Sequence, residues 1–139
     1  MSLFADLHPD DIEDMLYRGH TGHLACIDAN RPYVVPITYA YDSGFIYGHT
    51  GMGRKVKALR QNPAVCFGVE DRPDARTWRS VILEGTWEEI TDLQGQVEAL
   101  TLLTGAKPHI NPGDTGNDVV FRLRISNRSG RQLIREDLE

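Results

Sequence analysis

Tyr33-Val34-Val35-Pro36-Ile37-Thr38-Tyr39-Ala40-Tyr41, followed by Asp42-Ser43-Gly44 and Phe45-Ile46-Tyr47-Gly48, decides the fold. The first nine residues are rich in β-branched and aromatic side chains, which suit a pleated, half-buried strand. Odd positions carry Tyr33, Val35, Ile37, Tyr39 and Tyr41, and even positions carry the smaller Val34, Pro36, Thr38 and Ala40. That period of two predicts one face turned to a core. Asp42-Ser43-Gly44 is a turn signal, so the next apolar run returns antiparallel. Upstream, His23 to Ile27 is a short apolar run separated from Tyr33 by the turn-rich Asp28-Ala29-Asn30-Arg31-Pro32. The three runs predict an antiparallel meander.

Working outward, Pro9 opens a helix whose first turn carries Asp10 and Asp11, charges that complement the positive end of the helix dipole. Ile12, Met15 and Leu16 form its apolar stripe, Leu7 packs on Ile12, and Gly19 ends it. A short helix is expected from Arg54 to Gln61, stopped by Asn62-Pro63, and a strand from Ala64 to Val69. Glu70 to Thr77 reads as a loop. Trp78 to Ile90 reads as a long strand with a bulge at Gly85. Thr91-x-x-Gln94 has the capping-box pattern and opens a helix with Leu93, Val97 and Leu100 on one face, closed by Gly105. Lys107 to Asp118 reads as a loop, and Val119, Phe121, Leu123 and Ile125 alternate with polar residues in a last strand. The expectation is a mainly β (α+β) fold, a six-stranded antiparallel barrel with short flanking helices.

The chain has 139 residues, 40% hydrophobic and 25% charged, which is ordinary globular composition for a single domain spanning 1–139. Fifteen basic residues against 20 acidic ones give a formal charge of −5, which argues against a nucleic-acid partner. No run of 18 apolar residues is present and the start has no signal-peptide pattern, so a cytoplasmic protein with no membrane partner is expected. Cys26 and Cys66 lie in separate apolar runs without a CxxC, and the expectation is two buried free thiols. His20-x-x-His23 has no helix beneath it and no third ligand nearby, so no metal site is expected.

The segment with most chemistry in it is Gly48-His49-Thr50-Gly51-Met52-Gly53-Arg54-Lys55. It leaves a strand, passes three glycines and enters a helix. Arg54 and Lys55 then face the positive end of the helix dipole, which is unfavourable by a few tenths to about 1 kcal/mol. A bound anion would remove the conflict, since backbone N–H groups, the Thr50 hydroxyl and both cations would converge on a phosphate. A solvated helix start with two extended side chains explains the same residues equally well. The glycines match neither Walker A, where Arg54 and Lys55 would have to be Lys and Ser or Thr, nor GxGxxG, where Val56 replaces the third glycine. Pro36 cannot donate to a ladder, so it marks an edge or bulge. That leaves either a plain protected edge or one whose groups at Ile37 and Thr38 bond a ligand. Trp78 suits either the core, which is the commoner fate, or a ring-stacking interface.

The order of these pieces resembles the pyridoxamine 5′-phosphate oxidase-like FMN-binding split-barrel superfamily, in its nitroimidazole-resistance branch. The match runs from His20-Thr21-Gly22-His23 through Pro32 to Ile37, Asp42 to Tyr47, His49-Thr50, Gly53-Arg54-Lys55-x-x-x-Leu59 and Asn62-Pro63 to Trp78-Arg79-Ser80-Val81 and Glu84-Gly85. It implies a split barrel and a homodimer with FMN at the interface. It also implies that the phosphate is held at Thr50, Gly53, Arg54 and Lys55. The ring would lie along Val35, Pro36, Ile37 and Thr38, in contact with Ser80 and Val81, with His49 nearby. Authentic pyridoxamine phosphate oxidases carry Ser-Arg-Lys where this chain has Gly53-Arg54-Lys55. They also have basic residues on the second strand and a C-terminal Arg-Leu-x-Pro, both missing here. The resemblance therefore implies a flavin-dependent oxidoreductase of unknown substrate, with the departures speaking against vitamin B6 oxidation. The alternatives are a flavin sensor or carrier without turnover, or a barrel holding deazaflavin or haem. No side chain demands a catalytic role.

Overall fold

The computed structural model of the chain describes residues 2–105 and 118–136. Eight strands and three helices follow in the order β1 (Ser2–Asp6), α1 (Pro9–Arg18), β2 (Thr21–Asp28), β3 (Arg31–Thr38), β4 (Ala40–Asp42), β5 (Phe45–Gly51), α2 (Arg54–Gln61), β6 (Ala64–Asp71), β7 (Thr77–Glu89), α3 (Leu93–Thr104) and β8 (Asp118–Arg135). All pairings are antiparallel. The strand order is β3-β2-β6-β7-β8-β5-β4, with β1 also on β8. The sheet is open between its end strands β3 and β4, the architecture of a split barrel.

Eight strands replace the expected six for two reasons. The amino-terminal β1 pairs with the far half of β8, from Ser2↔Arg135 to Asp6↔Arg131, and so depends on a partner more than 120 residues away. The run from Tyr33 to Tyr41, read as one strand, is broken at Tyr39. Tyr39 N donates to His20 O (2.9 Å), and its buried hydroxyl donates to Leu16 O (2.9 Å). The chain turns there, so β3 pairs with β2 and β4 pairs with β5. One stretch of chain thus carries both end strands of the sheet.

The alternation is otherwise as expected. Ile37, Tyr39 and Tyr41 are buried, Tyr33 and Val35 pack against the core, and Val34, Pro36 and Thr38 are exposed. The core joins α1 (Ile12, Met15, Leu16) and α2 (Val56, Ala58, Leu59) to the inner faces of the strands, including Leu24, Phe67, Val81, Phe121 and Leu123. The bulge expected at Gly85 is present: the β7–β8 register shifts between Glu84 and Gly85. α3 starts on Asp92, whose carboxylate accepts from Gly95 N (2.8 Å), rather than on Thr91, because Asp92 sits three residues before that free N–H. It ends at Gly105 in the left-handed conformation (φ 75°). The last strand runs on to Arg135, well past Ile125. The loop expected from Lys107 lies outside the described residues, except for Asp118, which begins β8. Cys26 is buried as expected, but Cys66 is exposed because its side chain lies on the outer face of β6. No helix among the described residues is long and apolar enough to cross a membrane.

Candidate functional site

β5 delivers the glycine-rich segment to the start of α2. Its last pairs with β8 are His49↔Val120, Thr50↔Val119 and Gly51↔Asp118, after which the chain leaves the sheet. Gly53 is the N-cap of α2, extended (φ −174°, ψ −159°) and with no side chain to cap the first turn. No acid stands in that turn either. The first turn of a helix has N–H groups without intrahelical acceptors, so this one is left with donors and two cations. A Cβ added at Gly51 or Gly53 would meet nothing within 4 Å, so the approach to those donors is open. These features fit a phosphate: donors, positive charge and room coincide.

The predicted phosphate residues differ in their present engagement. Thr50 is half-buried, with its hydroxyl 3.3 Å from Gly51 O. Lys55 is half-buried, and no ion pair or hydrogen bond of its side chain is seen among the described residues. Arg54 reaches back to the β2–β3 hairpin. Its Nε donates to Asp28 Oδ2 (2.6 Å) and its guanidinium lies 4.1 Å from the centre of the Tyr33 ring. Cys26 lies beside them. Burial, then the Asp28 charge, pushes its thiol up, while Arg54 and Lys55 act in the opposite direction. Arg54 and Asp28 therefore meet at the end of β2. His49 is exposed, with Nε2 3.6 Å from Asp118 Oδ2.

β3 is an end strand of the sheet, so Pro36 does mark an edge. Pro36 and Thr38 project outward, while Ile37 is 8% exposed and faces the core. Ser80 and Val81 sit on β7, separated from β3 by β2 and β6. Three interstrand spacings place β7 about 14 Å from β3. Val81 is completely buried, so its side chain reaches no ligand surface. Ser80 is half-buried and shares the outward face with Pro36 and Thr38. The register that runs Pro36↔His23, His23↔Gly68 and Gly68↔Ile82 makes this face continuous. One chain thus does not bring Ser80 and Val81 beside Val35–Thr38.

That outward face carries several exposed apolar side chains. Ile27, Val34, Trp78 and Ile82 are 37%, 61%, 40% and 48% exposed. Trp78 is not in the core; its indole N–H donates to Glu70 (3.2 Å) and its ring stays at the surface. Exposed apolar side chains gathered on one sheet face are a feature of interaction faces.

A cavity of about 1070 Å³ lies elsewhere, between α3 and the outer side of the β5–β8 pair. Asp42, Glu88, Glu89, Asp92 and Glu98 line it against the single cation Arg122. Such a lining repels phosphate, so size alone does not make it the site; the charge pattern selects the start of α2.

Asp28 and Tyr33 were missed as site residues. Asp28 reads as turn punctuation, and its contact with Arg54 spans 26 residues, which no local pattern reveals.

A small antiparallel split barrel with an uncapped, cationic helix start beside an end strand is the class these observations define. The sequence profile described as pyridoxamine 5′-phosphate oxidase matches residues 8–132, and the chain belongs to that family. An uncharacterized protein of Rhizobium meliloti (strain 1021) is 30% identical over 108 residues, covering 75% of this chain and 72% of the relative. The crystal structure of an FAD-binding protein from Mesorhizobium loti is 31% identical and superposes with a TM-score of 0.80, over 94% of this chain and 98% of that one. A candidate 5-nitroimidazole antibiotic resistance protein from Bacteroides thetaiotaomicron has the same fold (TM-score 0.82, 20% identity, 96% of this chain and 89% of that one).

Proposed function

We propose that this chain binds FMN and works as a flavin-dependent oxidoreductase. The observation that carries the reading is the start of α2: an N-terminus without a cap or an acid, fronted by open glycines and flanked by Arg54 and Lys55. Lys55, the α2 N–H groups and Thr50 hold the phosphate, with Arg54 as the second cation. The ring lies on the edge strand at Val35–Thr38, and His49, at the end of β5, is a candidate contact to it. When bound, the isoalloxazine would supply the redox chemistry, accepting and passing on electrons. The protein's part is to bind, orient and shield it.

A second copy of the chain completes the site. One barrel offers only an open edge to a three-ring cofactor, and its outer face at Ile27, Val34, Trp78 and Ile82 exposes apolar surface. A homodimer through this face brings Ser80 and the Val81 backbone of one copy toward β3 of the other. The 31%-identical relative named as FAD-binding supports a flavin and makes FAD the competing form. The residues support FMN, since what they offer at α2 is a site for a terminal phosphate.

The purified protein, reconstituted with excess flavin, should be yellow with one flavin per chain. Acid should release it as FMN, and chromatography separates FMN from FAD. Reduction of the bound flavin by NAD(P)H and reoxidation by an added acceptor would establish turnover. Absence of stoichiometric flavin on the folded protein overturns the reading.

A further inference from the structure

Arg54 is one of the two cations of the phosphate site, yet a carboxylate of the same chain already holds it. Its Nε lies 2.6 Å from Asp28 Oδ2, and its guanidinium rests on Tyr33 at 4.1 Å. Asp28 is the last residue of β2 and Tyr33 pairs with Cys26, so both belong to the inward-facing set of the hairpin. Pro36 and Thr38 project from the opposite, outer side of β3. Arg54 is thus drawn toward the inner side of the hairpin, and with 62% of its side chain exposed it is not enclosed there by packing.

Asp28 also has another cation at hand. Its cross-strand partner is Arg31, across a two-residue turn in which Ala29 and Asn30 both adopt left-handed conformations (φ 50° and 64°). Directly opposed residues of an antiparallel pair stand about 5 Å apart at Cβ, close enough for an ion pair. Among the described residues, Asp28 pairs with Arg54 and not with Arg31.

We propose that Asp28 is a built-in competitor for the flavin phosphate, holding Arg54 until a phosphate arrives and then passing to Arg31. The inference rests on the phosphate site proposed above. It makes the site selective for flavins with an anionic tail: a phosphate displaces Asp28 from Arg54, and a neutral ribityl chain does not. Asp28 therefore weakens FMN binding, because its charge must be displaced and because it repels the incoming phosphate.

Titration of FMN and riboflavin into the apo-forms of the wild type, Asp28→Asn, Arg31→Ala and the double variant tests this. Asn keeps the shape and an acceptor for Arg54 Nε but loses the charge. FMN should bind Asp28→Asn about three- to tenfold more tightly, the range expected for a partly exposed ion pair plus relieved repulsion. Riboflavin affinity should stay within about twofold, since it has no group to contest Arg54. Arg31→Ala should weaken FMN, because Asp28 loses its second partner, and the double variant should behave like Asp28→Asn alone. Weaker or unchanged FMN binding by a folded Asp28→Asn overturns the proposal. So does equal tightening of both ligands, which would place the effect in the ring pocket. If the wild type binds neither flavin, the flavin reading fails and takes the proposal with it. If FMN binds and only the Asp28 variant fails to respond, the competitor alone is refuted.

Discussion

The phenolic oxygen of Tyr39 donates a 2.9 Å hydrogen bond to the main-chain carbonyl of Leu16, 23 residues earlier. Leu16 lies in the last turn of α1, where carbonyls lack intrahelical partners, and both residues are buried. Tyr39→Phe leaves that carbonyl without a donor, so it should lower unfolding stability by about 1–3 kcal/mol. The midpoint of urea unfolding measures it.

Alkaline pH should reveal the same residue. Burial pushes the Tyr39 hydroxyl from 10.0 up to about 12. The folded chain then keeps a proton that the unfolded chain loses. The stabilisation is complete below about pH 10 and disappears as pH rises toward 12. The gap in urea midpoint between the wild type and Tyr39→Phe should narrow over that window. A constant gap would show that the hydroxyl does not titrate late.

Lys55→Ala should weaken FMN binding about ten- to a hundredfold, the expected loss of a charge-assisted contact to phosphate. The fold should be unharmed, since a cation in the first turn of α2 is poorly placed for the helix itself. Riboflavin is the control and should hardly respond. Equal loss for both ligands would assign Lys55 to the fold or the ring pocket.

Gly85→Ala should be among the most damaging single-methyl changes. A Cβ there would stand 2.1 Å from the main-chain oxygen of Arg124, at the register shift between β7 and β8. A backbone atom cannot step aside as a side chain can, so the cost should be about 2–4 kcal/mol. A urea midpoint close to wild type would mean that the two strands can part at the bulge.

Ile82→Asp tests the outer face. Ile82 is 48% exposed in the row that includes Pro36 and His23, so a charge there costs a single chain little. In a dimer it would be buried without a partner. Light scattering should report the mass of one chain, and flavin occupancy should fall. A monomeric wild type with FMN tightly bound would refute the dimer.

Local patterns located most of the elements, because they depend on neighbours in the chain: the Pro9 helix, the Asp42-Ser43-Gly44 turn, the Gly85 bulge and the left-handed Gly105 cap. Strand count was not local. β1 needs the end of β8, and the break at Tyr39 is made by His20 and Leu16, on the preceding turn and helix. The site divides in the same way. The α2 start was legible from its glycines and its misplaced cations. Asp28 and the burial of Val81 were not, because each is fixed by packing between strands distant in sequence.

Residue 39 has one more consequence. The two end strands of the sheet are joined through a single residue, Tyr39, since β3 ends at Thr38 and β4 begins at Ala40. A clasp of this kind cannot be unzipped bond by bond as a ladder can. Two segments joined through one residue can draw apart only by the few ångströms that its backbone spans, about 3.5 Å per residue. Any parting of β3 from β4 is therefore pinned at Tyr39, while their far ends are held by β2 and β5. A chain break at Tyr39 would release the clasp itself.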